Sequence, residues 1–230
     1  MLKNRLVLAA TERELQAVMR PFQAHIVLNK GPFRIMKARG HEEEFVFCAT
    51  GIGTARSSMA TSFLLSQFYI VNVTLVGFAG ALFEKLNCQP GEPVVARSER
   101  FLHLGGFDTD GNYEDLSQRF SLSATRDLKN SFSLHLPADQ GWKICDFGTS
   151  DLVTSRKEDL DFMNRYHPEV CVESMEGASV AMVCQEFDVP FSQIRCITNQ
   201  LGDRNHQNWS FEEAIASLEG IGSRLIQGHL

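Results

Sequence analysis

Four short segments bring an apolar run to an end on residues that can do chemistry. In LAATERE, Glu14 follows a strand-like run, and a carboxylate there can deprotonate a water within hydrogen-bond reach. Thr11 and Glu14 also have the spacing of a capping box, in which the same carboxylate ties off a helix start. In ATGIG, Gly51 and Gly53 make a tight strand-to-helix turn. In CVESMEGASVA, Glu173 and Glu176 flank Ser174 and Met175 just ahead of an apolar stretch. Acidic residues suit a helix N-terminus for dipole reasons alone. A carboxylate opening a buried helix nevertheless needs a partner, and a ligand hydroxyl can be that partner. In IRCITNQLGDRN, Asn199 closes a strand, as a turn residue or as an amide reading a ligand edge.

These groups need a scaffold that gathers strand ends. Short apolar runs (RLVLAA, HIVLN, FRIMKAR, EFVFCAT, VTLVGFAGA, PVVARSE, WKICDFG, CVESM, FSQIRCITN) alternate with helical patterns, which predicts an α/β fold. The expected architecture is one domain over residues 1–230, a mixed central sheet flanked by helices on both faces. Ligands of open α/β sheets lie beyond the carboxyl ends of strands, where the four segments fall. A helix is expected from about Thr11. A second runs from Thr54 to Phe68, with Ala55, Met59 and Phe63 on one face and Ala60, Leu64 and Phe68 beside it. The stretch Gly177 to Phe187 is apolar nearly all round and predicts a buried helix, with Val180, Val183, Cys184 and Phe187 in register. Ser210 and Glu213 have capping-box spacing before a last helix with Phe211, Ile215, Leu218, Gly222 and Leu225 on one stripe. Between Gly105 and Gly141 the pattern loosens into loops that could serve as a lid. Its DTDGNYED segment is no EF-hand: with Gly111 sixth, Gly106 and Ser117 occupy the first and twelfth positions, where acidic ligands are required.

Together these motifs resemble the purine nucleoside phosphorylase and methylthioadenosine/adenosylhomocysteine nucleosidase superfamily. The resemblance is carried by LAATERE, ATGIGTA, LVGFAGALFEKL with PGEPVVA, HLGGFDTDG, VESMEGASVAMVC and VPFSQIRCITNQLGDRNHQNW, in that order. HLGGFDTDG, and ITN followed by DRN and a Trp, look most like its futalosine-hydrolysing branch, which implies a place in menaquinone synthesis. The resemblance implies hydrolysis of a purine N-glycosidic bond without cofactor or metal, in which the ribose becomes oxocarbenium-like as the base leaves. Glu176 would bind ribose hydroxyls beside the developing cation, Met175 would pack under the sugar, and Glu14 would activate the water. Glu173 would belong to the same substrate-binding segment. Phe78, Ala79 and Gly80 match the segment lining the base and sugar pocket, with Phe78 equally readable as core. Arg195 matches a position near the base-side wall and is equally readable as half of a buried ion pair.

Asn199 departs from the adenine-type nucleosidases, which carry an Asp there. Its carbonyl can accept from a protonated ring nitrogen while its amide donates to a 6-oxo group, which suits hypoxanthine. The base-stacking residue on the loop near GTSDLVTS stays open between Thr149 and Val153. Arg204 and His206, with Arg100 and His103 behind them, are candidates for a substrate carboxylate at the far end of the pocket.

Composition narrows the rivals. A formal charge of −6 with scattered Lys and Arg disfavours nucleic acid and anionic membranes and leaves small molecules as the expected partners, among which the resemblance implies a nucleoside. The start, MLKNRLVLAATERE, has too short an apolar run for a signal peptide, and the six cysteines read as reduced thiols, so a cytoplasmic protein is expected; a homo-oligomer is what the resemblance implies. The competing readings are a phosphorylase, a methylthioadenosine nucleosidase and a silent nucleoside-binding protein. Glu14 would repel phosphate, Asn199 argues against adenine, and binding alone needs no water-activating base. Arg13 and Arg56 lie near enough to the motifs to keep phosphate in play.

Overall fold

Alternation along the strands builds the centre of the molecule. In β1 (Asn4–Ala9), Val7 and Ala9 face one apolar cluster and Leu6 and Leu8 the other, all fully buried. The computed structural model describes residues 3–40, 43–119, 129–138, 140–203, 205 and 208–230. β1 runs parallel to β4 (Glu44–Ala49) on one side and β5 (Ile70–Ala81) on the other. β3 (Phe33–Arg39) and β2 (His25–Lys30) continue beyond β4 as antiparallel neighbours. On the other side β5 pairs in parallel with β12 (Phe191–Gln200), which pairs antiparallel with β6 (Pro93–Phe101). β10 (Lys143–Thr149) and β11 (Val170–Ser174) follow in parallel. β11 then turns back onto β5, with Val172 opposite Ala81 and Glu173 opposite Gly80. The mixed sheet thereby closes into a ring through β5, β12, β6, β10 and β11, and the carboxyl ends of β1, β5, β11 and β12 converge at its rim.

Helices cover both faces, as expected. α1 (Glu12–Met19) and the final helix, α7 (Phe211–Ile226), bury Leu15, Val18, Leu218 and Leu225 against one face. α2 (Thr54–Gln67) and α6 (Gly177–Glu186) bury Ala60, Leu64, Val180 and Cys184 against the other. Among the described residues no helix is long and apolar enough to cross a membrane.

Three local expectations need correction, and between the two adjacent rows expected on α2 the structure selects the one through Ala60 and Leu64. On α2 the inward row is Ser57, Ala60, Thr61 and Leu64, while Met59 is exposed. Small hydroxyl residues let α2 approach α6 closely, and Ser57 and Ser179 share a 2.6 Å hydrogen bond between the two helices. Phe187 caps α6 in an exposed position because the chain turns away there. Ser210 opens α7 without the side-chain bond of a capping box. The stretch from Gly105 to Gly141 is not all loop: β7 (Gly105–Phe107), β8 (Tyr113–Asp115), the short α4 (Leu116–Arg119) and β9 (Ser131–Ser133) lie in it, and residues 120–128 and 139 fall outside the described residues.

Candidate active site

The rim where the strands converge encloses a cavity of about 230 Å³. Glu14, Glu173, Met175, Glu176, Arg195 and Asn199 all line it, together with Phe78, Ala79 and Gly80. Residues from opposite ends of the sequence meet there because β1, β5 and β12 are parallel neighbours whose ends coincide.

Glu14 performs the capping role and is still presented to the cavity. Thr11 is the N-cap of α1; its backbone N–H and hydroxyl donate to Glu14 Oε2 at 2.8 and 2.7 Å. The Phe78 N–H donates to Oε1 at 2.7 Å, so both oxygens are anchored to backbone. Burial raises the Glu14 carboxyl above the usual carboxylate range. The Arg195 charge, the Thr11 bond and the Phe78 N–H pull the other way.

Glu176 occupies the N-cap position of α6, yet its carboxylate caps no N–H of that helix. Oε1 instead accepts from the Gly53 N–H at 3.1 Å, and Oε2 accepts from Arg195 Nη2 at 3.0 Å. The ATGIG turn therefore serves the carboxylate directly. Gly53 holds φ at +93°, a conformation that L side chains rarely adopt, and thereby aims its N–H at Glu176. Asp151 completes the turn by accepting from the Thr54 N–H at 2.8 Å, capping α2 from a distant loop.

Arg195 is 1% exposed and is both a wall residue and half of a buried ion pair. Its Nη1 donates to the Phe78 carbonyl at 3.3 Å. Gly77, opposite Arg195 across the β5 and β12 ladder, admits this arrangement. A Cβ there would fall 2.6 Å from Glu14 Oε1 and 2.7 Å from Arg195 Nη1. Two buried carboxylates and one buried guanidinium thus border the same cavity with an excess of negative charge, suited to a cationic or hydroxyl-rich ligand.

Asn199 lies at the end of β12, 8% exposed. Oδ1 accepts from the Thr198 hydroxyl at 2.7 Å and Nδ2 donates to the Gln200 carbonyl at 2.9 Å. One amide hydrogen and one lone pair stay available to the cavity. Glu173 also lines the cavity, but its carboxylate is engaged by Thr154, whose N–H donates at 3.0 Å and whose hydroxyl also donates. Of the two loop candidates, Val153 reaches the cavity, whereas Thr149 turns inward to Glu99 and the Ala178 N–H.

Arg204 and His206 lie outside the described residues. Arg100 pairs with Glu169 at 2.7 Å, and His103 stacks on Phe162 with ring centroids 4.9 Å apart; neither lines the cavity. Sequence reading missed the aromatic wall of Trp209 and Phe211, the latter packed edge-on against Phe78 at 5.6 Å. Phe211 stood on the apolar stripe of the last helix, where core and site residues look alike. The Arg13 guanidinium lies 5.4 Å over the Phe211 ring, at the outer side of that wall.

The profile of the phosphorylase superfamily matches residues 4–227. A 5'-methylthioadenosine/S-adenosylhomocysteine nucleosidase of a Geobacillus species is 30% identical over 183 residues, covering 75% of this chain and 74% of that protein. The futalosine hydrolase of Thermus thermophilus is 28% identical over 203 residues, covering 85% and 87%. The solved 5'-methylthioadenosine/S-adenosylhomocysteine nucleosidase of Colwellia psychrerythraea in complex with adenine superposes with a TM-score of 0.77 at 20% identity, covering 100% of this chain and 96% of the other.

Proposed function

Because the chain belongs to the phosphorylase superfamily, we propose that it is a nucleosidase hydrolysing the N-glycosidic bond of a purine nucleoside, with a 6-oxopurine such as that of futalosine as the leaving base. The observation that carries this reading is that Glu14, Glu176 and Asn199 border one cavity, the two carboxylates anchored to backbone and the amide half free.

In this mechanism Glu176 accepts from the ribose hydroxyls and holds negative charge beside the sugar as it turns oxocarbenium-like. Preorganised electrostatics of this kind contributes about 3–4 kcal/mol per group. Arg195 keeps Glu176 in place, and Met175 packs under the sugar. Glu14 accepts a proton from the attacking water, a role favoured by a carboxyl whose affinity for protons is raised. Asn199 receives the departing ring, Nδ2 donating to the 6-oxo group and Oδ1 accepting from a ring N–H. The water oxygen bonds the anomeric carbon as the bond to the base breaks, its proton stays on Glu14, and the base leaves with the bonding electrons and takes its proton from solvent. Phe78, Ala79, Gly80 and Val153 line the base and sugar walls, and Glu173 shapes the rim through Thr154.

Hydrolysis is favoured over phosphorolysis by charge. Among the described residues the lining carries Glu14, Glu173, Glu176 and Asp203 against Arg195 alone, and Arg195 is already paired with Glu176. A phosphate dianion would meet a net repulsive field there. Asn199 favours a 6-oxopurine over the adenine of methylthioadenosine, since an Asn cannot protonate the leaving base. A nucleoside with an acidic tail would find Arg13 beyond the aromatic wall. A homo-oligomer belongs to the same reading, through membership of the superfamily.

The test is identification of the released base in phosphate-free buffer with futalosine, inosine and methylthioadenosine. Release of hypoxanthine without phosphate is expected. Strict phosphate dependence would overturn hydrolysis, and faster adenine release would overturn the role given to Asn199.

A further inference from the structure

Behind the site lies a buried polar cluster that the proposed mechanism does not use. Glu99, on β6, is 0% exposed. Its Oε1 accepts from the Thr149 hydroxyl at 3.0 Å and from the Arg100 backbone N–H at 3.1 Å. Thr149 Oγ1 accepts in turn from the Ala178 N–H at 2.8 Å, in the first turn of α6 and two residues after Glu176. A line of hydrogen bonds thus runs from the start of the helix that presents Glu176 to one oxygen of Glu99.

The other oxygen is crowded and unpartnered. A Cβ on Gly177 would fall 2.0 Å from Glu99 Oε2 and 2.4 Å from Gln193 Oε1, so both oxygens converge on the same glycine. Glu99 Oε2 and both polar atoms of the Gln193 amide are buried without a hydrogen-bond partner. A buried carboxyl oxygen with no donor facing it costs a charged carboxylate far more than a neutral acid, so the orphaned Oε2 favours the protonated form. Among the described residues, β10 brings Thr149, β12 brings Gln193 and Arg195, β6 itself brings the Arg100 N–H, and α6 brings the backbone of Gly177. Arg195 is the charged group among them, and its Nε has no acceptor while its Nη2 holds Glu176. Burial pushes the Glu99 carboxyl up to about 8, against the smaller opposing effects of Thr149, Arg195, the Arg100 N–H and the Gln193 amide.

We propose that Glu99 is a positioning residue for Glu176: held as a neutral carboxylic acid it anchors the first turn of α6 through Thr149 and leaves Arg195 committed to Glu176, and on ionising it competes for that guanidinium. The activity part rests on the nucleosidase reading above, whereas the protonation part stands independently of it. Deprotonation puts a second carboxylate within the reach of one buried Arg, and the free Nε is the donor it would draw. Glu176 then loses part of its tether, and kcat falls as pH rises through about 8.

Glu99→Gln separates the two states, because a neutral amide keeps an acceptor for Thr149 and offers Gln193 a donor. It is expected to keep kcat near neutral pH within about 3-fold of the unaltered enzyme and to remove the alkaline fall, whereas Glu99→Leu, which abolishes the acceptor, lowers kcat more than about 10-fold with KM less affected. Retention of the alkaline fall in Glu99→Gln, or a loss of more than about 10-fold at neutral pH, overturns the proposal. Thermal melting supplies a readout that needs no nucleoside. A carboxyl raised in the folded state contributes stability fully present below its ordinary value of 4.5 and lost as pH rises through about 8. The Tm of the unaltered protein should therefore fall relative to that of Glu99→Gln between those limits, and parallel Tm curves refute a buried acid at Glu99. If the unaltered protein turns over no nucleoside, the nucleosidase reading fails while the melting comparison still decides the protonation of Glu99.

Discussion

Replacing Glu14 by Gln tests the proposed water activation, and the structure sets its size. The carboxylate accepts three bonds, from the Thr11 N–H and hydroxyl at Oε2 and from the Phe78 N–H at Oε1. Gln can offer only one acceptor atom, so its NH₂ must face a donor. The less crowded choice points it at Phe78 and orphans that buried N–H, which costs about 1–3 kcal/mol of stability. Loss of the general base should lower kcat by about 10² to 10⁴, well beyond what a small displacement of Phe78 explains. The pH profile separates the two effects. Glu14 is raised above 4.5, so activity that needs its ionised form is lost as pH falls through that raised value, and the acid limb of kcat/KM should sit above the ordinary carboxylate range. In Glu14→Gln that limb should vanish. Steady-state kinetics from pH 4 to 9, with substrate affinity measured by calorimetry, provides the assay. An unchanged kcat, or an acid limb that persists, would refute the role of Glu14.

Arg195→Met leaves the Glu176 carboxylate buried without its counter-charge and should cost about 3–5 kcal/mol, read by urea denaturation; a loss below about 1 kcal/mol would mean that the ion pair is dispensable. Asn199→Asp should move the ratio of kcat/KM for adenine over hypoxanthine nucleosides by at least about 10², and an unmoved ratio would take base choice away from this residue. Arg13→Ala should raise KM for a nucleoside with an acidic tail about 2- to 5-fold, since an exposed charge contributes little, while leaving inosine unaffected; equal effects on both substrates would count against tail recognition.

What the sequence made legible was local. The Thr11–Glu14 capping box, the strand runs and the apolar start of α6 depend on neighbours within a few positions, and the structure has all three. What escaped depends on register and on which small residues touch. On α2 the apolar rows through Met59 and Ala60 were adjacent, and only the Ser57–Ser179 contact with another helix decides which row turns inward. In the same way Gly77, opposite Arg195, and Gly177, against Glu99 and Gln193, look like ordinary glycines until the ladder puts side chains over them. The short pairings of β7 with β8 and of β9 with β6 are only three residues long, too short for alternation to stand out from loop.

The site divides its tasks along one strand. β12 offers Arg195 beneath the carboxylates and, past a register shift opposite the end of β5, Asn199 at the rim. Arg195 is locked to Glu176 and to the Phe78 carbonyl, while Glu14 is locked to Thr11 and the Phe78 N–H, so the charged machinery is tied to backbone that the fold itself requires. Asn199 is tied only to its own neighbours, Thr198 and Gln200. A substitution at 199 therefore changes the hydrogen-bond code offered to a base without disturbing the carboxylates, whereas a substitution at 14, 176 or 195 disturbs several elements together. In the proposed reading this is how one scaffold accepts different purines with the same hydrolytic step: base choice sits on a loosely coupled amide, and charge stabilisation sits on a rigidly coupled triad.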